Sequence, residues 1–114
     1  MNSRDATGSL AALAQESRLA LFRLLVRRGP EGYAAGEIAE RLGIPAPTLS
    51  FHLKVLAHAG LVALRKESRF VYYSANYGRM NELIGFLTEH CCSLASDGHR
   101  RSCVSDRAAR SKTA

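Results

Sequence analysis

Two groups of residues in this chain have types and spacings that could do chemistry. The first is Cys91, Cys92 and Cys103, with ten residues between the second and the third. The N-terminus, Met1-Asn2-Ser3-Arg4-Asp5-Ala6-Thr7, has no apolar signal region, so a reducing cytosolic compartment is the expectation. An odd number of cysteines there argues against a disulfide framework and for thiol chemistry or a metal site. The bland alternatives are that Cys91 is a small buried hydrophobe and that Cys103 is incidental. The second group lies in Ala46–Leu61: Thr48, Ser50, Phe51, His52 and Lys54, followed by the basic cluster Arg65, Lys66 and Arg69. Hydroxyls can donate to phosphates or base edges, a lysine can reach a phosphate or a guanine, and a ring can meet thymine methyls.

These side chains need an element to present them. At about 100° per residue, a helix over Ala46–Leu61 gathers Leu49, Leu53, Leu56 and Gly60 on one arc. Pro47, Phe51, Lys54 and His58 fall opposite, with Thr48 and Ser50 on the flanks and His52 beside the inner arc, where partial burial with an orienting hydrogen bond is as open to it as a base contact. The inner arc reads as core and the outer arc as a surface free to enter a DNA groove. Before it, Gly36–Gly43 reads as a short helix with Ile38 and Leu42 four apart, and Ile44-Pro45 as the turn. A short helix, a tight turn and a helix with a polar outer face form a helix-turn-helix signature. Val62–Lys66 then alternates, Glu67-Ser68 turns, and Arg69–Ser74 returns with aromatic and β-branched residues. That is a hairpin with Arg65, Lys66 and Arg69 about its tip, which makes the whole a winged helix: mainly α with a small β-hairpin.

The flanks complete the domain. Residues 1–8 read as a flexible N-terminus and Ser9–Ala14 as a short first helix. Ser17 is expected to cap a second helix through Arg28, with Leu19, Phe22, Leu25 and Val26 as its apolar stripe; Gly29-Pro30 stops it. Asn76 to about Leu94 reads as a last amphipathic helix with Met80, Leu83, Ile84, Leu87, Cys91 and Leu94 on one face. The domain already has enough apolar faces, so this one is expected to be a homodimer seam formed with the other terminal helix. The domain spans residues 9–95, and 96–114 is expected to be a mobile basic tail carrying Cys103.

The formal charge of +6 favours an anionic partner, nucleic acid before membrane. Half of that excess lies in residues 96–114, so the body is only mildly basic. No apolar run is long enough to span a bilayer. An enzyme is not indicated: the chain has no glycine-rich phosphate loop, no nucleophile elbow and no His-Glu-x-x-His.

Thr48-Leu49-Ser50-Phe51-His52-Leu53-Lys54-Val55-Leu56, then Ala59-Gly60-Leu61-Val62, then Arg65 to Tyr73 resembles the ArsR/SmtB family of metalloregulatory repressors over roughly residues 9–94. The resemblance implies a homodimer that binds an inverted-repeat operator in double-stranded DNA and leaves it when a metal or metalloid binds. Two sensor sites of the family do not carry over. The third helix, Ala34-Ala35-Gly36-Glu37-Ile38-Ala39-Glu40, has no Cys-x-Cys, and the last helix has Glu82, Glu89 and His90 but no Asp-x-His. The chain is similar instead to members with a cysteine pair at the end of the last helix and a third cysteine beyond, which respond to arsenite or antimonite.

Three thiolates suit trivalent arsenic or antimony, whose lone pair leaves a three-coordinate pyramid. Zinc or cadmium prefers four ligands, and His90 or His99 could supply the fourth, so a zinc-, cadmium- or thiol-redox-responsive repressor is the alternative. On a continuous helix, adjacent Cys91 and Cys92 diverge by about 100°. They can converge only where the helix ends. Phe51 and Ala46 make the outer arc less polar than is usual in this family, which shifts part of the expected DNA grip to the wing.

Overall fold

The protein is described by a computed structural model over residues 1–95. The first helix, α1 (Ser3–Leu13), starts six residues before the expected Ser9, so most of the expected flexible leader is helical. Asn2 caps it, its side-chain oxygen accepting from the Asp5 amide at 2.8 Å. The buried stripe of α1 is Ala6, Ser9 and Ala12, while Leu10 is exposed. Small residues let the helix sit close to its neighbours, a face that a search for leucines does not find.

Helix α2 (Glu16–Arg28) is capped by Gln15, which accepts from the Arg18 amide, rather than by Ser17. Leu21, Phe22 and Leu25 form its buried face, and Leu19 stays exposed. Arg27 and Arg28 lie in its last turn, where positive charge suits the helix dipole. Strand β1 (Tyr33–Ala34) is followed by α3 (Ala35–Leu42), which starts one residue before the expected Gly36. Gly43 ends α3 in the left-handed conformation at φ 65. Helix α4 (Ala46–His58), β2 (Val62–Glu67), β3 (Phe70–Ala75) and α5 (Tyr77–Thr88) follow.

The sheet is antiparallel in the order β1-β3-β2, with Val62 opposite Ala75, Arg65 opposite Tyr72 and Tyr33 opposite Tyr73. The hairpin turn falls at Ser68-Arg69, one residue later than expected, with Ser68 at φ 59. At two residues, β1 is too short to show a periodicity in the sequence. It forms because Gly32 lets the chain run against β3. Gly32 has φ +72, and a Cβ there would collide with the Tyr73 carbonyl.

Leu21, Leu25, Ile38, Leu49, Leu56 and Leu61 are fully buried, so the core lies between α2, α3, α4 and the root of the sheet. Asn76 docks the last helix to it. Its amide donates to the Gly60 carbonyl at 2.9 Å while its oxygen caps α5 through the Arg79 amide. Tyr77 Oη donates to the Val26 carbonyl at 2.9 Å at the end of α2. Helix α5 stops at Thr88, six residues before the expected Leu94, and turns carry the chain through Leu94. Among the described residues, no helix is long and apolar enough to cross a membrane.

Candidate nucleic-acid interface and thiol site

Helix α4 is held from inside and bare outside. Leu49, Leu53 and Leu56 pin its inner arc in the core, as the periodicity predicts. Pro45 precedes the first turn and Pro47 lies within it, where a missing N–H costs no helical bond. Thr48, Ser50, Phe51 and Lys54 are exposed on the outer arc. Phe51 is 59% exposed, its ring edge-to-face with that of His52 at 5.7 Å between centroids. From Arg41 to Lys66 the chain carries no acidic residue, so α4 itself brings no negative charge towards a phosphate backbone.

Of the two places open to His52, the structure shows the buried one, with an orienting contact. The residue is 7% exposed, and Arg18 Nη1 lies 3.4 Å from its Nδ1. A guanidinium only donates, so Nδ1 accepts and the ring proton sits on Nε2. The same Arg18 donates through Nε to the Ala12 carbonyl at 2.6 Å. One arginine therefore ties the end of α1 and the start of α2 to the inner flank of α4, which makes His52 a positioning residue. Nothing in the local sequence around Arg18 signals this, because the two partners lie 34 positions apart.

The wing divides its three cations. Arg65 is half-exposed and held: it pairs with Glu67 at 3.2 Å, donates to the Glu31 carbonyl at 3.2 Å and lies over the Tyr72 ring at 5.0 Å. Lys66 and Arg69 are exposed at the tip. Phe70, 58% exposed, shares that tip, its ring tilted against Tyr72 at 6.4 Å. Behind the wing, Tyr33 is clasped by Arg28 and Arg41, their guanidinium carbons 4.8 and 4.7 Å from the ring centroid. These two arginines brace the sheet against α2 and α3.

The thiol pair lies past the end of α5. His90 and Cys92 both have positive φ, 59 and 63, so the chain is no longer helical and adjacent side chains need not diverge. Cys91 Sγ and Cys92 Sγ are 3.5 Å apart. Cys91 is a free, exposed thiol rather than the buried hydrophobe its place in the stripe suggested. Cys92 is half-buried and disulfide-bonded. Two sulfurs on one ion, each bonded at about 2.3 Å, lie about 3.3–3.8 Å apart. The pair thus fits such an ion once Cys92 is reduced to a thiolate. Among the described residues no group of three His, Cys, Asp or Glu could hold a metal. Cys103, His99, Arg100 and Arg101 lie outside the described residues.

A groove between α1, α2 and α5 completes the surface. Leu19, Phe22, Val26, Met80, Leu83 and Ile84 line it, with a volume of about 360 Å³. Leu19, Ile84 and Leu87 are 45–58% exposed around it. This is the face that the sequence assigned to a dimer seam.

Comparison with known proteins places these features in one family. A helix-turn-helix domain model matches residues 13–65, which span α2 through most of β2. The regulator YceK of Bacillus subtilis is 48% identical over 63 residues, 55% of this chain and 62% of its own length, so the chain spans about three-fifths of that relative. The transcriptional activator HlyU of Vibrio cholerae is 33% identical over 91 residues, 80% of this chain and 82% of its own. Its solved structure superimposes with a TM-score of 0.64 over 80% of this chain and 96% of that one. The arsenical resistance operon repressor of Bacillus subtilis is 29% identical over 92 residues, 80% of this chain and 84% of its own. A homodimeric winged helix-turn-helix DNA-binding domain from Mycobacterium bovis, described as a possible ArsR-family regulator, is 27% identical with a TM-score of 0.60, covering 76% of this chain and 81% of that one. The chain belongs to the ArsR/SmtB family of winged helix-turn-helix transcriptional regulators.

Proposed function

We propose that this chain is a repressor that binds operator DNA as a homodimer and leaves it when trivalent arsenic or antimony is bound by Cys91, Cys92 and Cys103. The observation that carries the DNA half is the exposed outer arc of α4, bearing Thr48, Ser50 and Lys54 on a helix without acids. The N-terminal turns of α4 enter a major groove, where hydroxyls and Lys54 meet phosphates and base edges. Lys66 and Arg69 at the wing tip grip the flanking backbone. The apolar groove of α1, α2 and α5 closes against a second copy, so the two reading helices address an inverted repeat about one helical turn apart.

The metalloid half rests on the 3.5 Å between Cys91 and Cys92 sulfurs at a helix end, and on the similarity to the arsenical resistance operon repressor. The sulfurs supply a soft donor set, and Cys103 gives the third thiolate that a pyramidal ion requires. Because the pair directly follows α5, which borders the dimer groove, holding an ion there favours one spacing of the two subunits over another. Inducer shifts operator affinity by its differential affinity for those two states. The disulfide at Cys92 supports one alternative reading, in which oxidation of the same thiols is the signal.

One titration tests both readings. Operator release is measured by fluorescence anisotropy of the reduced full chain against arsenite, antimonite, zinc, cadmium and peroxide. Arsenite or antimonite should release DNA at stoichiometric concentration, and Cys91→Ser or Cys92→Ser should bind operator normally and ignore both. Release by peroxide alone selects the redox reading. Release of the serine variants by arsenite would overturn the site.

A further inference from the structure

We propose that the cleft between α1, the end of α4 and the start of α5 is a second ligand site, one that takes a small organic carboxylate with a short apolar body. It lies at the C-terminal end of α4, away from the N-terminal turns that read DNA and from the thiol pair, and it does not depend on the inducer proposed above. The carrying observation is an excess of unused polar groups. Among the described residues, the buried side-chain polar atoms without a partner are Ser9 Oγ and Arg79 Nε. Both residues line this one cleft, which has a volume of about 370 Å³. Ser9 is 1% exposed, so its hydroxyl has lost water and received nothing in return.

The charge and shape of the cleft select the ligand. Arg4 and His58 line it beside Arg79, so three side chains able to carry positive charge converge from three helices. Guanidinium groups favour carboxylate or phosphate through paired N–H donors. The rest of the wall is apolar, formed by Ala12, Val55 and Ala59. An inorganic anion would leave that wall wet, whereas a carboxylate carrying a few carbons covers it. Asp5 also borders the cleft and opposes a second negative charge, which favours a monoanion over phosphate. A Cβ at Gly60 would come within 3.4 Å of Arg79 Nε, so the guanidinium lies against bare backbone, and its own amide is fixed by Asn76. The volume lies at the small end of ordinary ligand pockets.

Benzoate is the probe, followed by ¹H–¹⁵N chemical shifts of the full chain at constant ionic strength. Benzoate should give saturable shifts confined to the amides around Ser9, Val55, Ala59 and Arg79. Benzamide, its neutral isostere, and Arg79→Gln should each weaken binding by about tenfold or more, the scale of one charge-assisted hydrogen bond. Arg4→Gln tests the same point at an exposed residue whose replacement leaves the core intact. The proposal is overturned if benzoate gives no saturable shifts, if benzamide binds as well, if both arginine variants bind unchanged, or if inorganic phosphate moves the same amides with equal affinity.

Discussion

The reading helix and the thiol pair are opposite solutions to the problem of placing reactive side chains. On α4 the outer residues are exposed because the inner ones are locked: Leu49, Leu53 and Leu56 are at most 3% exposed, and Arg18 braces the flank through His52. Among the described residues past α5 none is buried. Leu83 is the last buried residue of that helix, and the chain beyond Thr88 runs in turns with two residues at positive φ. Recognition of a rigid duplex favours a fixed scaffold, while a site that must close on an ion and change state favours a segment with little packing to break. The comparison predicts that damage to the reading half is felt as lost folding, and damage to the thiol end as lost response.

The largest expected effect is at Gly32. Gly32→Ala puts a methyl group into the Tyr73 carbonyl at a φ that L-residues avoid, which separates β1 from β3. A loss of about 3 kcal/mol or more is expected in urea unfolding, with the midpoint falling at constant slope. A variant of unchanged midpoint would mean that the sheet does not rest on this contact. Next comes His52→Ala, which leaves Arg18 Nη1 without its acceptor and opens space beside Leu49 and Leu53. About 1–3 kcal/mol of stability should go, while the operator affinity of the folded fraction stays within twofold. A stable variant with altered base preference would return His52 to the reading surface.

What the sequence showed and what it hid follow the same division. The 3.6-residue period exposed α4 to inspection because a single arc of leucines faces one core. The hairpin showed through alternation and aromatic content. By contrast, the early start of α1 was hidden because its buried face is Ala6, Ser9 and Ala12, which read as neutral. The stop of α5 at Thr88 was hidden because Cys91 and Leu94 keep the apolar period beyond the last helical turn. Periodicity reports what a helix would bury if it continued, and cannot report that the backbone turns first. The Arg18–His52 contact was invisible for another reason: it joins elements far apart in sequence, and a histidine near an apolar arc looks the same whether it faces a base or a guanidinium. The sulfur pair was legible in composition, and its convergence needed the helix end to be seen.

Smaller effects should separate the cations of the wing. Lys66→Ala and Arg69→Ala remove exposed charges and should each weaken operator binding about three- to tenfold, reducing the slope of log affinity against log salt by about one. Arg65→Ala also breaks contacts to Glu67, Glu31 and Tyr72, so it should lower the unfolding midpoint as well as the affinity. If all three variants gave the same salt slope and the same midpoint, the wing would be a uniform charge patch and not a braced strand with a free tip.

The smallest effect on folding is expected at the residue of largest consequence for the proposed signal. Cys91 is exposed, lies outside every helix and strand, and has its sulfur 3.5 Å from that of Cys92. Cys91→Ser keeps shape and hydrogen-bonding capacity, so stability should move by less than about 0.5 kcal/mol, measured by thermal unfolding of the reduced chain. Its operator affinity without inducer should match the parent's. If stability falls by more than 1 kcal/mol on the scale of an ordinary core change, Cys91 is packing material, and the contrast between a locked reading half and a loosely held signalling end fails at its second term.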